Sequence, residues 1–275
     1  VCGGQQDSGS ACVASRGVDG AITIREWHEA AIEEYGYAAP DPKDPDIVYG
    51  TKEVTKYDRR TGQVSNVGPL GGRRGGPPPL GGAGAPVAAG QAAGPAAPPA
   101  VVNRMVRTQP IVFSQVDNQS LFFATNVLWK TMDGGINWQQ ISPDLTRKTH
   151  TVPKSVGKYL DQATAQADNN GARVIYTIGP SYRDLSRIWI GTDDGVIATT
   201  ADGGKTWSDV TPPQISAYWK VFIIDAGRFD PLTAYAAVNT LRIDDMNPHI
   251  FRTHDGGKTW KEVVTGIPGG APVSV

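Results

Sequence analysis

A Trp-ended turn motif that occurs three times, and a strand pair that recurs between those turns, predict an all-β fold. The expected architecture is a β-propeller of four-stranded antiparallel blades, about four and a half of them, with the ring incomplete.

The turn motif carries most of this reading. The stretches Thr131-Met132-Asp133-Gly134-Gly135-Ile136-Asn137-Trp138, Thr200-Ala201-Asp202-Gly203-Gly204-Lys205-Thr206-Trp207 and Thr253-His254-Asp255-Gly256-Gly257-Lys258-Thr259-Trp260 share the pattern Thr-x-Asp-Gly-Gly-x-(Asn/Thr)-Trp. Thr closes a strand, and the Asp carboxylate can accept backbone N–H groups within a tight turn. Two glycines allow positive φ. Trp opens the return strand with a large apolar surface, so Trp138, Trp207 and Trp260 are expected to be buried anchors. A turn-stabilising role explains Asp133, Asp202 and Asp255 better than catalysis or calcium binding does.

Paired apolar strands fill the intervals. Inner strands are read at 36–39, 110–113, 174–177 and 221–224, and second strands at 47–51, 121–125, 188–192 and 234–238. Tyr49, Phe123, Ile190 and Ala236 are 74, 67 and 46 residues apart. Residues 68–100 hold 10 Gly, 8 Pro and 9 Ala in 33 positions, too little apolar area to offset the entropy of ordering them, and are read as a disordered insert. Subtracting those 33 leaves a first interval of 41. The second is lengthened by residues 143–172, with a short helix expected near 159–167. The turn at Tyr57-Asp58-Arg59-Arg60-Thr61-Gly62 is a plain hairpin, and residues 1–28 supply part of an earlier blade.

Composition narrows the partners. The chain has 275 residues and a net charge of −1, which gives no reason to expect nucleic acid. No apolar run is long enough to span a bilayer. With four His and two Cys, no zinc site is expected and no cofactor is implied. Cys2 and Cys12 flank a Gly-rich hairpin, and a disulfide and two separate buried thiols both fit that spacing. The chain begins with Val and ends in 270–275 as though a strand were starting, so further blades are expected at both ends.

These motifs, the Asp41-Pro42-Lys43-Asp44-Pro45-Asp46-Ile47-Val48-Tyr49-Gly50 strand entry and Gly3-Gly4-Gln5-Gln6-Asp7-Ser8-Gly9 resemble bacterial sortilin-type BNR-repeat (Asp-box) propellers over nearly all of the chain outside 68–100. Such proteins are commonly labelled glycosyl hydrolases, because xyloglucanases share the propeller type. The resemblance implies a periplasmic or extracellular protein whose funnel binds a peptide or glycan, or hydrolyses a polysaccharide. The Arg-Ile-Pro motif of sialidases is missing here.

Blade geometry sorts the loops. Strand 1–2 and 3–4 turns share one rim; strand 2–3 loops and blade connections share the other, the funnel. The funnel loops supply carboxylates for a paired-acid site: Asp7, Glu33, Glu34, Asp193 and Asp194 as catalytic candidates. Gln6, Trp27, His28, Tyr35, Arg242 and Asp245 are the ligand-binding candidates. A solvated loop or turn explains any one of these acids alone, and a hydrogen-bonded structural role explains His28. Binding is therefore the first reading and glycoside hydrolysis the second.

Overall fold

A computed structural model describes residues 1–7, 9–17, 19–30, 32–50, 53–70, 102–149, 152–168 and 173–273. Most of the 68–100 insert lies outside the described residues. The chain is a β-propeller whose blades follow one another around an open arc. Blade one is β1 (Cys2–Gln5), β2 (Gly9–Val13) and β3 (Trp27–Glu29). Blade two is β4 (Ala38–Pro40), β5 (Ile47–Gly50), β6 (Thr55–Asp58) and β7 (Gln63–Asn66). Blade three is β8 (Ile111–Phe113), β9 (Leu121–Ala124), β10 (Leu128–Thr131) and β11 (Gln139–Gln140). Blade four is β12 (Ile175–Pro180), β13 (Ile188–Thr192), β14 (Ile197–Thr200) and β15 (Ser208–Asp209). Blade five is β16 (Lys220–Ala226), β17 (Ala234–Asn239), β18 (His249–Thr253) and β19 (Lys261–Glu262). Each blade pairs in chain order and antiparallel.

Burial follows from stacking sheet on sheet. All of β9 and β13 is buried, because both faces are covered, whereas β17 alternates: Ala234, Ala236 and Val238 are buried and Tyr235 is exposed. Each seam holds its own core, such as Trp189, Ile197, Val221, Ile224 and Phe251 between blades four and five. The seam between blades one and two is the thinnest, with Cys12, Ala30, Ile32 and Val48.

The three Asp-Gly-Gly turns are the joints of this stack. In blade four, Asp202 Oδ1 accepts the Thr206 N–H at 2.9 Å and Oδ2 accepts the Thr206 hydroxyl at 2.6 Å, while Thr200 Oγ1 accepts the Gly204 N–H at 3.0 Å. Blades three and five repeat this network at Asp133 and Asp255. Both glycines of each turn have positive φ, 74° and 99° at Gly203 and Gly204. A Cβ on Gly204 would lie 2.5 Å from the Ile141 carbonyl oxygen, so the second glycine is also what lets the turn touch the preceding blade. The indole N–H groups complete the joint: Trp138 donates to Val67 O at 2.6 Å, Trp207 to Ile141 O at 2.9 Å and Trp260 to Val210 O at 2.7 Å. Each acceptor follows the fourth strand of the preceding blade. The three rings are partly buried rather than fully so, because one ring edge stays at the rim; the fully buried Trp is Trp189.

The remaining expectations are settled locally. Cys2 and Cys12 face each other across β1 and β2 with Cα atoms 4.0 Å apart and are disulfide-bonded, which removes the separate-thiol alternative. The extra segment forms a 3-10 turn at Lys154–Tyr159 and a helix, α1 (Leu160–Asp168). Its 3-10 turn packs against another at Leu241–Ile243, so it crosses the funnel side toward blade five.

Candidate functional site on the funnel face

Strand order places Asp7, Asp193, Asp194 and Asp245 in strand 2–3 loops and Glu33, Glu34 and Tyr35 in the first blade connection. Trp27 and His28 differ from expectation: they lie in β3, the outer strand of blade one, with His28 paired to Cys12. The reason is that the outer strand takes up Trp27–Glu29, and the connection begins only after it.

Asp7, Glu33 and Glu34 come together. They line a recess of about 480 Å³ with Gln5, Gly9, Ile32 and Thr55. Two left-handed residues build it: Asp7 and Tyr35 both have φ of 61°, which turns the β1–β2 loop and the connection toward each other. Glu34 ties the two loops, since its Oε2 accepts the Asp7 N–H at 3.0 Å and its Oε1 pairs with the Arg107 guanidinium. Arg107 also lies 4.9 Å from the centre of the Tyr35 ring. Among the described residues the side chains of Asp7 and Glu33 make no ion pair, and both residues are exposed. Gln6 stands in the same turn outside the recess lining.

The blade-four acids are occupied differently. Asp193 is 6% exposed and Asp194 1%. Asp193 Oδ1 accepts the Val174 N–H at 2.8 Å; Asp194 takes the Thr192 hydroxyl at 2.5 Å and the Arg147 N–H at 2.8 Å. Burial pushes both carboxyls above the ordinary range, against the pull of those hydrogen bonds. Arg242 donates to the Asp193 carbonyl and stacks 4.5 Å from the Tyr218 ring, so it also braces this loop. Asp245 holds its own turn, accepting the Asn247 N–H at 3.0 Å and pairing with His249 at 3.0 Å; the Asn247 bond, then His249, hold its carboxyl below the usual range.

Arginines from the blade connections were not among the candidates. Arg104 bonds Asp144 at 2.8 Å and the Arg173 carbonyl at 3.1 Å, and Arg147 reaches the Asp194 and Gly195 carbonyls at 2.8 and 2.9 Å. They sit in irregular connections where no periodicity marks a residue, so only coordinates reveal them. Among the described residues, Asp193, Asp194 and Asp245 are thus committed to hydrogen bonds, whereas Asp7 and Glu33 share an open recess. Among the described residues no cluster of three His, Cys, Asp or Glu could hold a metal ion, and no helix is long and apolar enough to cross a membrane.

No family model matches the chain, and no curated protein matches it. Solved structures do. An ancestral GH74 enzyme is 12% identical with a TM-score of 0.53, covering 89% of this chain and 28% of its own. The extracellular domain of a hybrid two component system from B. thetaiotaomicron is 10% identical with a TM-score of 0.51, covering 94% and 25%. A structure of YCF48 bound to D1 peptide is 20% identical over 58% of this chain and 39% of its own, with a TM-score of 0.34. The first two support the propeller fold and nothing finer. The chain spans well under two thirds of each of these proteins.

Proposed function

We propose that this chain is part of an exported sortilin-type BNR-repeat propeller that binds a peptide on its funnel face, with a basic side chain of that peptide in the recess of Asp7 and Glu33. The observation that carries it is the pair of exposed carboxylates that, without an ion pair among the described residues, together line a 480 Å³ recess, whereas Asp193, Asp194 and Asp245 are each committed to hydrogen bonds. A neighbouring carboxylate, Glu34, is half-neutralised by Arg107 and fixes the recess walls rather than the ligand. A guanidinium or ammonium entering there meets two negative charges at once. Tyr35, already stacked on Arg107, forms an aromatic edge beside it. The disulfide supports export, since such bonds persist in oxidising compartments.

Glycoside hydrolysis is the second reading, and a glycan the second ligand. It needs one carboxyl held protonated beside another that stays charged. Asp193 and Asp194 have the raised affinity for a proton, yet both are buried, and each accepts a backbone N–H, with the second oxygen of Asp194 taken by the Thr192 hydroxyl. That argues for structure over turnover. The test is calorimetric titration with an arginine-containing peptide, beside a hydrolysis assay on xyloglucan. Asp7→Asn and Glu33→Gln should each weaken binding several-fold, with binding falling steeply as salt rises. Unchanged affinity in both variants, or hydrolysis that Asp193→Asn abolishes, would overturn the proposal.

A further inference from the structure

Seams two-three, three-four and four-five are each filled by an Asp-Gly-Gly turn and its Trp, and seam one-two is not. Blade two turns at Asp58–Gly62 through a short hairpin, with Gly62 N–H bonded to Asp58 O at 2.8 Å, and the exposed Val64 stands where the other blades carry their Trp. The rung that such a turn would cover can be identified. In blade two the rung Tyr49–Lys56–Ser65 receives the blade-three turn, where the Tyr49 hydroxyl meets Gly134 O at 3.5 Å. Counting back from the acceptor after the fourth strand, the same rung of blade one is Cys2–Cys12–His28. Those three residues line a cavity of about 680 Å³, well within the size of small-molecule sites.

The lining says what would enter. Its apolar part is the Cys2–Cys12 bridge with Val13, Val48 and Pro45. Its charged groups are unequal in their commitments. Arg59 is paired with Asp46, Glu26 accepts the Thr23 N–H and hydroxyl at 2.6 Å each, and Asp41 accepts the Lys43 N–H at 2.8 Å. Arg16 and Arg25 pair with no acid among the described residues, against one uncommitted carboxylate, Asp19. We infer that this vacated joint is a binding site for a small aromatic carboxylate. The ring takes the place an indole holds at the other seams, and the carboxylate meets Arg16 and Arg25.

Indole-3-acetate is a direct probe, with tryptamine and acetate as comparators. Titration followed by the His28 ring signals in NMR should show saturable shifts with indole-3-acetate. Tryptamine, which carries the ring and the opposite charge, should bind at least ten-fold more weakly, and so should acetate, which lacks the ring. The double variant Arg16→Ala with Arg25→Ala, both at exposed positions, should weaken indole-3-acetate at least ten-fold and leave the unfolding midpoint in place. Equal binding of tryptamine, binding unchanged in the double variant, or shifts confined to His249 and His254 would each overturn the assignment.

Discussion

Replacing Trp207 tests whether the repeated turns are blade joints. The ring is partly buried against the core shared by blades three and four, and its N–H reaches the Ile141 carbonyl at 2.9 Å. A Trp in this state removes about 150 Å² of surface from water, worth about 4 kcal/mol at the usual coefficient. The hydrogen bond adds about 1 kcal/mol. Compactness of the unfolded chain trims the area term, so Trp207→Ala should cost about 4 kcal/mol. Trp207→Phe keeps most of the ring and loses the donor, and should cost about 1.5 kcal/mol by the same reckoning. Trp27 is the control, because it stands on the equivalent rung of blade one, is 47% exposed and donates to no described acceptor. Its Phe variant should cost under about 0.5 kcal/mol, as for ordinary surface changes. The assay is urea unfolding followed by circular dichroism. If Trp207→Phe matched Trp27→Phe, the indole would not be joining the blades, and the packing argument would fail with it.

The joints, the buried blade-four acids and the recess make three further predictions. Gly204→Ala should cost about 2–4 kcal/mol, since it combines positive φ with a backbone oxygen in the way, while Gly203→Ala, with open space around it, should cost only about 1 kcal/mol by equilibrium unfolding. Acid should separate two sets of carboxyls in a melting-temperature series. Asp133 and Asp255 are held at about 2, first by their bonds from Asn137 and Thr259, and Asp202 is held lower, so their contribution is complete above the ordinary carboxylate range and is lost as pH falls from about 4 through 2. Buried Asp193 and Asp194 have raised values and act oppositely, adding stability as pH falls toward about 4, so the melting temperature should pass through a maximum before it drops. Arg107→Ala should free Glu34, loosen the recess and raise hydrogen exchange at the Asp7 amide, with little change in global stability.

The blades were legible because their signals are local. Alternating or continuous apolar runs locate β5, β9, β13 and β17 to within a residue or two, and two glycines beside an aspartate describe a turn whatever surrounds it. One inner strand is displaced: the strand expected at 36–39 is observed as Ala38–Pro40, because Tyr35 and Gly36 are still turning in the connection, whereas the other three begin within a residue of expectation. The site was less legible. Glu33 and Glu34 are adjacent and chemically alike, and only the position of Arg107, across a long connection, decides which is neutralised. Asp193 and Asp194 read as exposed loop acids because Asp-Asp-Gly is common in turns, and nothing local reveals that Val174 and Arg147 close over them. Thr131, Thr200 and Thr253 were read as strand ends, and each proves also to accept the N–H of the second glycine.

On the proposed function the ligand enters the blade-one recess and not the blade-four loop. Backbone NMR during titration with an arginine-containing peptide addresses it residue by residue. Saturable shifts are expected at Gln5, Asp7, Gly9, Ile32 and Glu33, lost when Asp7→Asn and Glu33→Gln are combined. Shifts centred on Asp193, Asp194 and Gly195, with the recess amides unmoved, would contradict it.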